Sequence, residues 1–250
     1  MTASGPCKRG ILMGGTCELA LTLAGLLIRQ GTTPVLTYRS EGGLRGIQQT
    51  LSSPGGRYET RRLDFADGES LAALLAPDDP PFDFLVDFAQ GEYEALIAAA
   101  DDEAVSSFFA ENVSFRAALL KRITRGMLRR RRGRLVYVSS AAAENPASGQ
   151  GFYAAAKLAS EALYRTVAIE MGERGITTVI LRPGYCDAGR GRRFLERSGD
   201  SLRRVPIRRA LAATEIAEAV LYLLSDGAAG INGSVITMDG GLASGKGAVR

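Results

Sequence analysis

The sequence predicts an α/β fold: a doubly wound parallel sheet of about seven strands with helices on both faces. Three observations carry that expectation. Short apolar runs alternate with helical patterns along the whole chain, as βαβ units and a sheet covered on both sides require. The 250 residues are 46% hydrophobic and 23% charged, which suits one globular unit over 1–250 with a sizeable core. Residues able to carry chemistry fall where apolar runs stop, at Gly14, Asp64, Ala89, Ser139, Ser140, Pro183 and Gly184. In open parallel sheets, ligands bind beyond the carboxyl ends of the strands.

The elements follow in order. Residues 10–13 form a short buried strand, followed by Gly14 and Gly15. Leu19, Leu23, Leu26 and Leu27 then recur at helical spacing. Strands two to four are expected at 34–38, at 58–63 and at 82–88. A long helix spans 104–131 and leads into strand five at 134–139. A helix over 152–172 precedes strand six at 177–181. Residues 214–224 are amphipathic with Thr214 placed as the N-cap, and strand seven is 234–238.

Composition removes several classes of function. Histidine is absent, which excludes Ser-His-Asp and Cys-His nucleophilic sites and His-based metal sites. Cysteines stand at 7, 17 and 186, a scattered odd set that suggests neither a disulfide framework nor metal-ligand spacing. No apolar run is long enough to span a bilayer, and the N-terminal residues lack a signal-peptide core, so a cytoplasmic location is expected. The net charge of +4 is modest, but arginine is clustered at 129–132 and 134. A second cluster holds Arg190, Arg192, Arg193, Arg197, Arg203, Arg204, Arg208 and Arg209. These fit either solvated surface or an acidic partner or substrate. They lack the interleaved aromatics of a nucleic-acid site.

One constellation points to chemistry. Tyr153 and Lys157 are four residues apart, so on a helix both side chains share a face. An ammonium beside a phenol is expected to lower a pKa that is ordinarily about 10. Such a phenol can exchange a proton with a carbonyl or alcohol oxygen. Ser140, ending an apolar strand 13 residues earlier, could hydrogen-bond the same oxygen. Together they suggest reduction of a C=O or oxidation of a CH–OH.

Over nearly its whole length the chain resembles the short-chain dehydrogenase/reductase family, and within it the β-ketoacyl-acyl-carrier-protein reductases. Ser140 with Tyr153-Ala-Ala-Ala-Lys157, Leu181-Arg-Pro-Gly-Tyr185, Glu215-Ile-Ala-Glu-Ala-Val220 and the tail from Ile231 to Gly241 carry the likeness. The resemblance implies a Rossmann-like fold, a nicotinamide dinucleotide and an oligomer, dimer or tetramer. It implies Tyr153 as the acid, Ser140 orienting the substrate oxygen and Lys157 holding the nicotinamide ribose. Asn112 would keep a water that links Lys157 to solvent. Cofactor contacts would come from Gly14, Gly15, Thr16, Leu19, Arg39, Ser40, Asp64, Phe65, Ala89, Tyr153, Lys157, Pro183, Gly184 and Cys186. Segment 187–206 would be the substrate lid, and Arg131 and Arg174 match basic positions that dock an acyl carrier protein.

The departures from the family pattern concern the cofactor. Its Thr-Gly-x-x-x-Gly-Ile-Gly loop reads Met13-Gly-Gly-Thr-Cys-Glu-Leu-Ala20 here, so Glu18 brings a carboxylate towards a pyrophosphate. Asp87-Phe88-Ala89-Gln90 replaces Asn-Asn-Ala-Gly, and Ala188 stands where a Thr is frequent. Strand two ends at Arg39-Ser40 with no acid before Glu41, which favours NADP(H), because an Arg accommodates a 2′-phosphate. The expected activity is NADPH-dependent reduction of a β-ketoacyl thioester on an acyl carrier protein, in a fatty-acid-like or polyketide pathway. Two alternatives stay open: a reductase or dehydrogenase of a free small ketone or alcohol, and a non-catalytic dinucleotide-binding protein.

Overall fold

A computed structural model describes residues 9–52, 56–76, 80–198 and 200–244. Cys7 and the rest of the N-terminal stretch lie outside them, as does one residue of 187–206. Seven parallel strands form one sheet in the order β3-β2-β1-β4-β5-β6-β7. They are β1 (Arg9–Met13), β2 (Thr33–Tyr38), β3 (Glu59–Arg62), β4 (Phe84–Asp87), β5 (Gly133–Val138), β6 (Ile176–Pro183) and β7 (Ser234–Met238). The order reverses between β1 and β4, and the crevice beyond their carboxyl ends is where such a sheet takes its ligand.

Strand alternation sorts the core into two layers. Leu12, Val86, Val136 and Val138 face one side, where they meet α1 (Glu18–Arg29) and α8 (Ala213–Leu224) through Leu23, Leu27, Ile216 and Val220. Ile11, Met13, Leu85, Leu135 and Tyr137 face the other. They meet α5 (Phe115–Arg130) and α6 (Gly151–Met171) through Leu119, Ile123, Met127, Tyr164 and Val167.

The sheet, the major helices and strand seven agree with the sequence reading. Three short helices escaped it: α2 (Glu41–Thr50), α3 (Gly68–Leu74) and α7 (Gly189–Arg197). Each has few buried residues; α2 buries Ile47 alone and α7 buries none, so periodicity has little to register. Thr214 is not the cap of α8. Ala212 holds that position, and Glu215 turns back to accept from its backbone N–H at 2.8 Å. The long helix expected over 104–131 is divided. α4 (Asp102–Phe109) and α5 are joined through a π-turn at Ala110–Ser114, with Asn112 inside it. Single π-turns inside α-helices are frequent at functional sites.

Candidate active site

The end of β1 is held by its neighbours. Gly14 has a φ of +69°, and a Cβ there would come within 3.1 Å of the Ala89 backbone, so the chain needs a glycine. Its N–H donates to the Thr37 hydroxyl at 3.1 Å, tying the loop to β2. Gly15 backs onto Leu36 and Thr37. Thr16 is exposed beside Gly43 of α2.

A cleft of about 1070 Å³ opens along the carboxyl edge of the sheet. Ser140, Tyr153, Lys157, Leu19, Pro183, Gly184 and Cys186 line it, together with Glu18. The elements explain the convergence. Ser140 follows β5 and caps a short turn by accepting from the Ala142 N–H at 3.1 Å. Its neighbour Ser139 donates to buried Glu161, which Arg182 of β6 also grips at 2.8 Å. α6 then brings Tyr153 back over the strand end into the same cleft, where Ser140 favours its phenolate.

The proton chemistry differs from the expectation in one respect. Burial raises the Tyr153 phenol above its ordinary value, against the opposing pull of Arg190 and of Ser140. Lys157 does not supply the lowering. It is 2% exposed and donates to the Val138 carbonyl at 2.9 Å. Burial pushes its amine well below the usual lysine range, and the nearby Arg116 charge adds to this. Desolvation is the largest influence on both groups. Burial also raises both cleft thiols, Cys186 to about 11 and Cys17 in the same direction. Neither is a ready thiolate nucleophile.

Under this site lies a charge pair that sequence reading missed. Asp87 ends β4 fully buried, and Arg116 of α5 reaches it at 2.7 Å with 3% of its side chain exposed. The guanidinium also donates to the carbonyls of Asn112 and Ala89. Tyr164 donates to the same Asp87 oxygen at 3.1 Å. Asn112 bonds the Gly91 N–H at 2.7 Å and the Phe108 carbonyl at 2.8 Å through its amide. Its backbone carbonyl accepts from Arg116 and more distantly, at 3.4 Å, from Ser160. The Lys157 amine and the Arg116 guanidinium lie 4.9 and 5.2 Å from the Tyr137 ring centroid, so both pack against one ring.

The segment after β6 covers the cleft. Arg190 lies 5.5 Å from the Tyr153 ring centroid and donates to the Gly91 carbonyl at 3.3 Å. Phe194 stacks on Tyr185 at 5.6 Å. Arg193, Arg197 and Arg204 also line this end, and Glu92 pairs with Arg190 and Arg193. A basic covering was legible from composition. Which arginine turns inward was not.

The remaining predicted residues lie apart. Arg39, Ser40, Asp64 and Phe65 sit further along the same edge, after β2 and β3. Arg39 is exposed. Ser40 caps α2 by accepting from Gly43 at 3.2 Å. Asp64 accepts from the Ala66 N–H at 3.1 Å, and Phe65 packs on Phe115. Arg131 and Arg174 flank the starts of β5 and β6, at the opposite edge of the sheet from Ser140, about 20 Å of strand away. The Arg131 guanidinium donates to the Glu173 carbonyl at 3.1 Å.

A dinucleotide fits the residues present in two of three places. Exposed Arg39 at the end of β2 can meet a ribose phosphate. Tyr153, Lys157, Pro183 and Gly184 line the cleft where a nicotinamide end would lie. Between them, where a pyrophosphate would approach the start of α1, stands the Glu18 carboxylate.

This edge, with its switch-point cleft and Ser-Tyr-Lys set, defines an oxidoreductase of the nicotinamide-dependent kind. Comparison with known proteins agrees, and the chain belongs to the short-chain dehydrogenase/reductase family. A family model described as enoyl-(acyl carrier protein) reductase matches residues 17–243. The chain is similar to the 3-oxoacyl-(acyl-carrier-protein) reductase FabG of Escherichia coli (strain K12), with 30% identity over 237 residues, 94% of this chain and 97% of that one. The FabG of Pseudomonas aeruginosa is likewise 30% identical over 239 residues, covering 94% of this chain and 97% of its own. A solved short chain dehydrogenase/reductase family protein superposes with a TM-score of 0.84 at 31% identity, over 97% of this chain and all of its own. A short-chain type dehydrogenase/reductase from Mycobacterium ulcerans gives 0.87 at 26% identity, over 95% of this chain and 90% of its own. Among the described residues no helix is long and apolar enough to cross a membrane.

Proposed function

We propose that this chain is an NADPH-dependent carbonyl reductase whose substrate is a β-ketoacyl thioester on an acyl carrier protein. The observation that carries the reading is the convergence of Ser140, Tyr153 and Lys157 at one cleft in a chain whose relatives bear the name 3-oxoacyl-(acyl-carrier-protein) reductase. The bound nicotinamide would supply the hydride. Ser140 holds the substrate oxygen, and Tyr153 gives it a proton. A phenol that burial keeps protonated suits the reductive direction. Lys157, fixed by the Val138 carbonyl, holds the nicotinamide ribose. Asn112 anchors the π-turn beneath it. Arg39 and Ser40 take the ribose 2′-phosphate, which makes NADP(H) the preferred cofactor. Segment 187–206 acts as the lid, and Arg131 with Arg174 forms the carrier-protein docking corner.

A second reading has its own observation. Arg190 over Tyr153, with Arg197 and Arg204 in the same cleft, suits a free ketone that carries an acidic group near its carbonyl. One experiment separates the two: NADPH oxidation at 340 nm with a β-ketoacyl thioester on carrier protein, on a small thiol mimic, and with free oxo acids, NADH run in parallel. Preference for the carrier-bound substrate supports the first reading. Turnover of free oxo acids alone supports the second. Dinucleotide binding without turnover of any carbonyl would leave a non-catalytic member.

A further inference from the structure

The start of α1 and the start of α7 are joined by one carboxylate. Glu18 opens α1 and Gly189 opens α7. Glu18 Oε2 accepts from the Gly189 N–H at 3.3 Å, and Oε1 pairs with Arg192 Nη2 at 3.0 Å. Arg192 is braced from its own segment: Nε meets Asp187 Oδ1 and Nη2 donates to the Asp187 carbonyl, each at 2.7 Å. The side chains of Glu18 and Arg192 are both about half exposed, at 42% and 46%, so solvent and a ligand can reach them. Glu18 and Gly189 both line the cleft that contains Tyr153. A backbone N–H at a helix start and a guanidinium are the groups that bind phosphate. Here a carboxylate of the chain itself occupies them.

We propose that Arg192 and the Gly189 N–H form a binding site for the cofactor diphosphate, with Glu18 as the internal anion that occupies it until the dinucleotide arrives. The inference rests on the dinucleotide reading above and adds to it a phosphate ligand drawn from the covering segment. It accounts for a carboxylate at the start of α1. Without Arg192, Glu18 would repel a diphosphate outright. With Arg192, the same carboxylate holds the covering segment against α1, and the diphosphate competes for a site already assembled. Displacing Glu18 costs affinity, so binding is weaker than the site alone would give and depends on salt.

The test uses the full chain and isothermal titration with two probes. NADP⁺ contains the diphosphate; adenosine 2′-monophosphate lacks it. Glu18→Gln is expected to tighten NADP⁺ about tenfold and Arg192→Met to weaken it by about the same factor, as for a partly screened charge contact. Arg192→Lys is expected to fall between Met and wild type. Adenosine 2′-monophosphate should change less than about twofold in every variant, because its contacts lie at Arg39. Amide exchange of 189–197 in the cofactor-free protein should accelerate in Glu18→Gln. An NADP⁺ affinity unchanged in both Glu18→Gln and Arg192→Met overturns the proposal and leaves the dinucleotide reading standing. If neither wild type nor Glu18→Gln binds NADP⁺ or NAD⁺, both fall together.

Discussion

Replacing Asp87 with Asn removes one charge and almost no volume, so it isolates the electrostatics of the Asp87–Arg116 pair. Both side chains are essentially out of water, and the carboxylate also accepts from Tyr164 and from the Ala89 N–H at 3.0 Å. Neutralising it leaves a buried guanidinium whose remaining partners are the carbonyls of Asn112 and Ala89 and, at 3.4 Å, the Ser160 hydroxyl. Breaking a buried pair from one side costs about 3–5 kcal/mol. Asn retains one acceptor, which places Asp87→Asn at the lower end, about 3 kcal/mol. For a chain of this size that corresponds to roughly 6–12 °C in the melting midpoint. The assay is urea unfolding followed by circular dichroism, alongside a thermal melt. Arg116→Met should cost a similar amount, because it strands the carboxylate. The double variant should recover much of the loss, because no charge is then left buried alone. A single-variant loss below about 1 kcal/mol, or additive losses in the double variant, would refute the argument that the two charges stabilise β4 and α5 as a unit.

Two further outcomes follow from the site. The Tyr153 phenol is raised above its ordinary value of about 10, so it is protonated throughout the neutral range. Reductive turnover should then be flat between about pH 6 and 9, while the reverse oxidation, which needs the phenolate, climbs with pH; a reductive rate falling tenfold between about pH 6 and 8 would mean that the phenol titrates near neutrality. Arg131→Glu with Arg174→Glu should raise KM for a carrier-bound substrate and leave a small thiol mimic unchanged, because both residues sit about 20 Å of strand from the chemistry; equal effects on the two substrates would remove the docking role.

The sheet was legible because its strands are buried on both faces and read as apolar runs, as at Phe84–Asp87 and Gly133–Val138. Ser140, Tyr153 and Lys157 were legible because their spacing survives folding: a strand end and one turn of a helix bring them together. The Asp87–Arg116 pair was not read, although two signals existed. Asp87 interrupts a buried strand and requires a cation. Arg116 shares a helical stripe with Leu119, Leu120, Ile123 and Met127, the buried face of α5. The contact between Glu18 and Arg192 had no such signal, because 174 residues of chain separate them. Only the assembled edge of the sheet brings the two helix starts face to face. The lowered Lys157 amine was also out of reach of spacing, since it follows from burial depth and from Arg116.

Tyr153→Phe decides whether Tyr153 is the acid at a dinucleotide-dependent carbonyl site. The substitution keeps the ring and removes only the hydroxyl. With NADPH and a β-ketoacyl thioester, turnover should fall by about 10²–10⁴-fold, the share that a positioned general acid contributes, while the NADPH dissociation constant stays within about threefold. Turnover equal to wild type, with the fold and cofactor binding intact, would contradict the assignment.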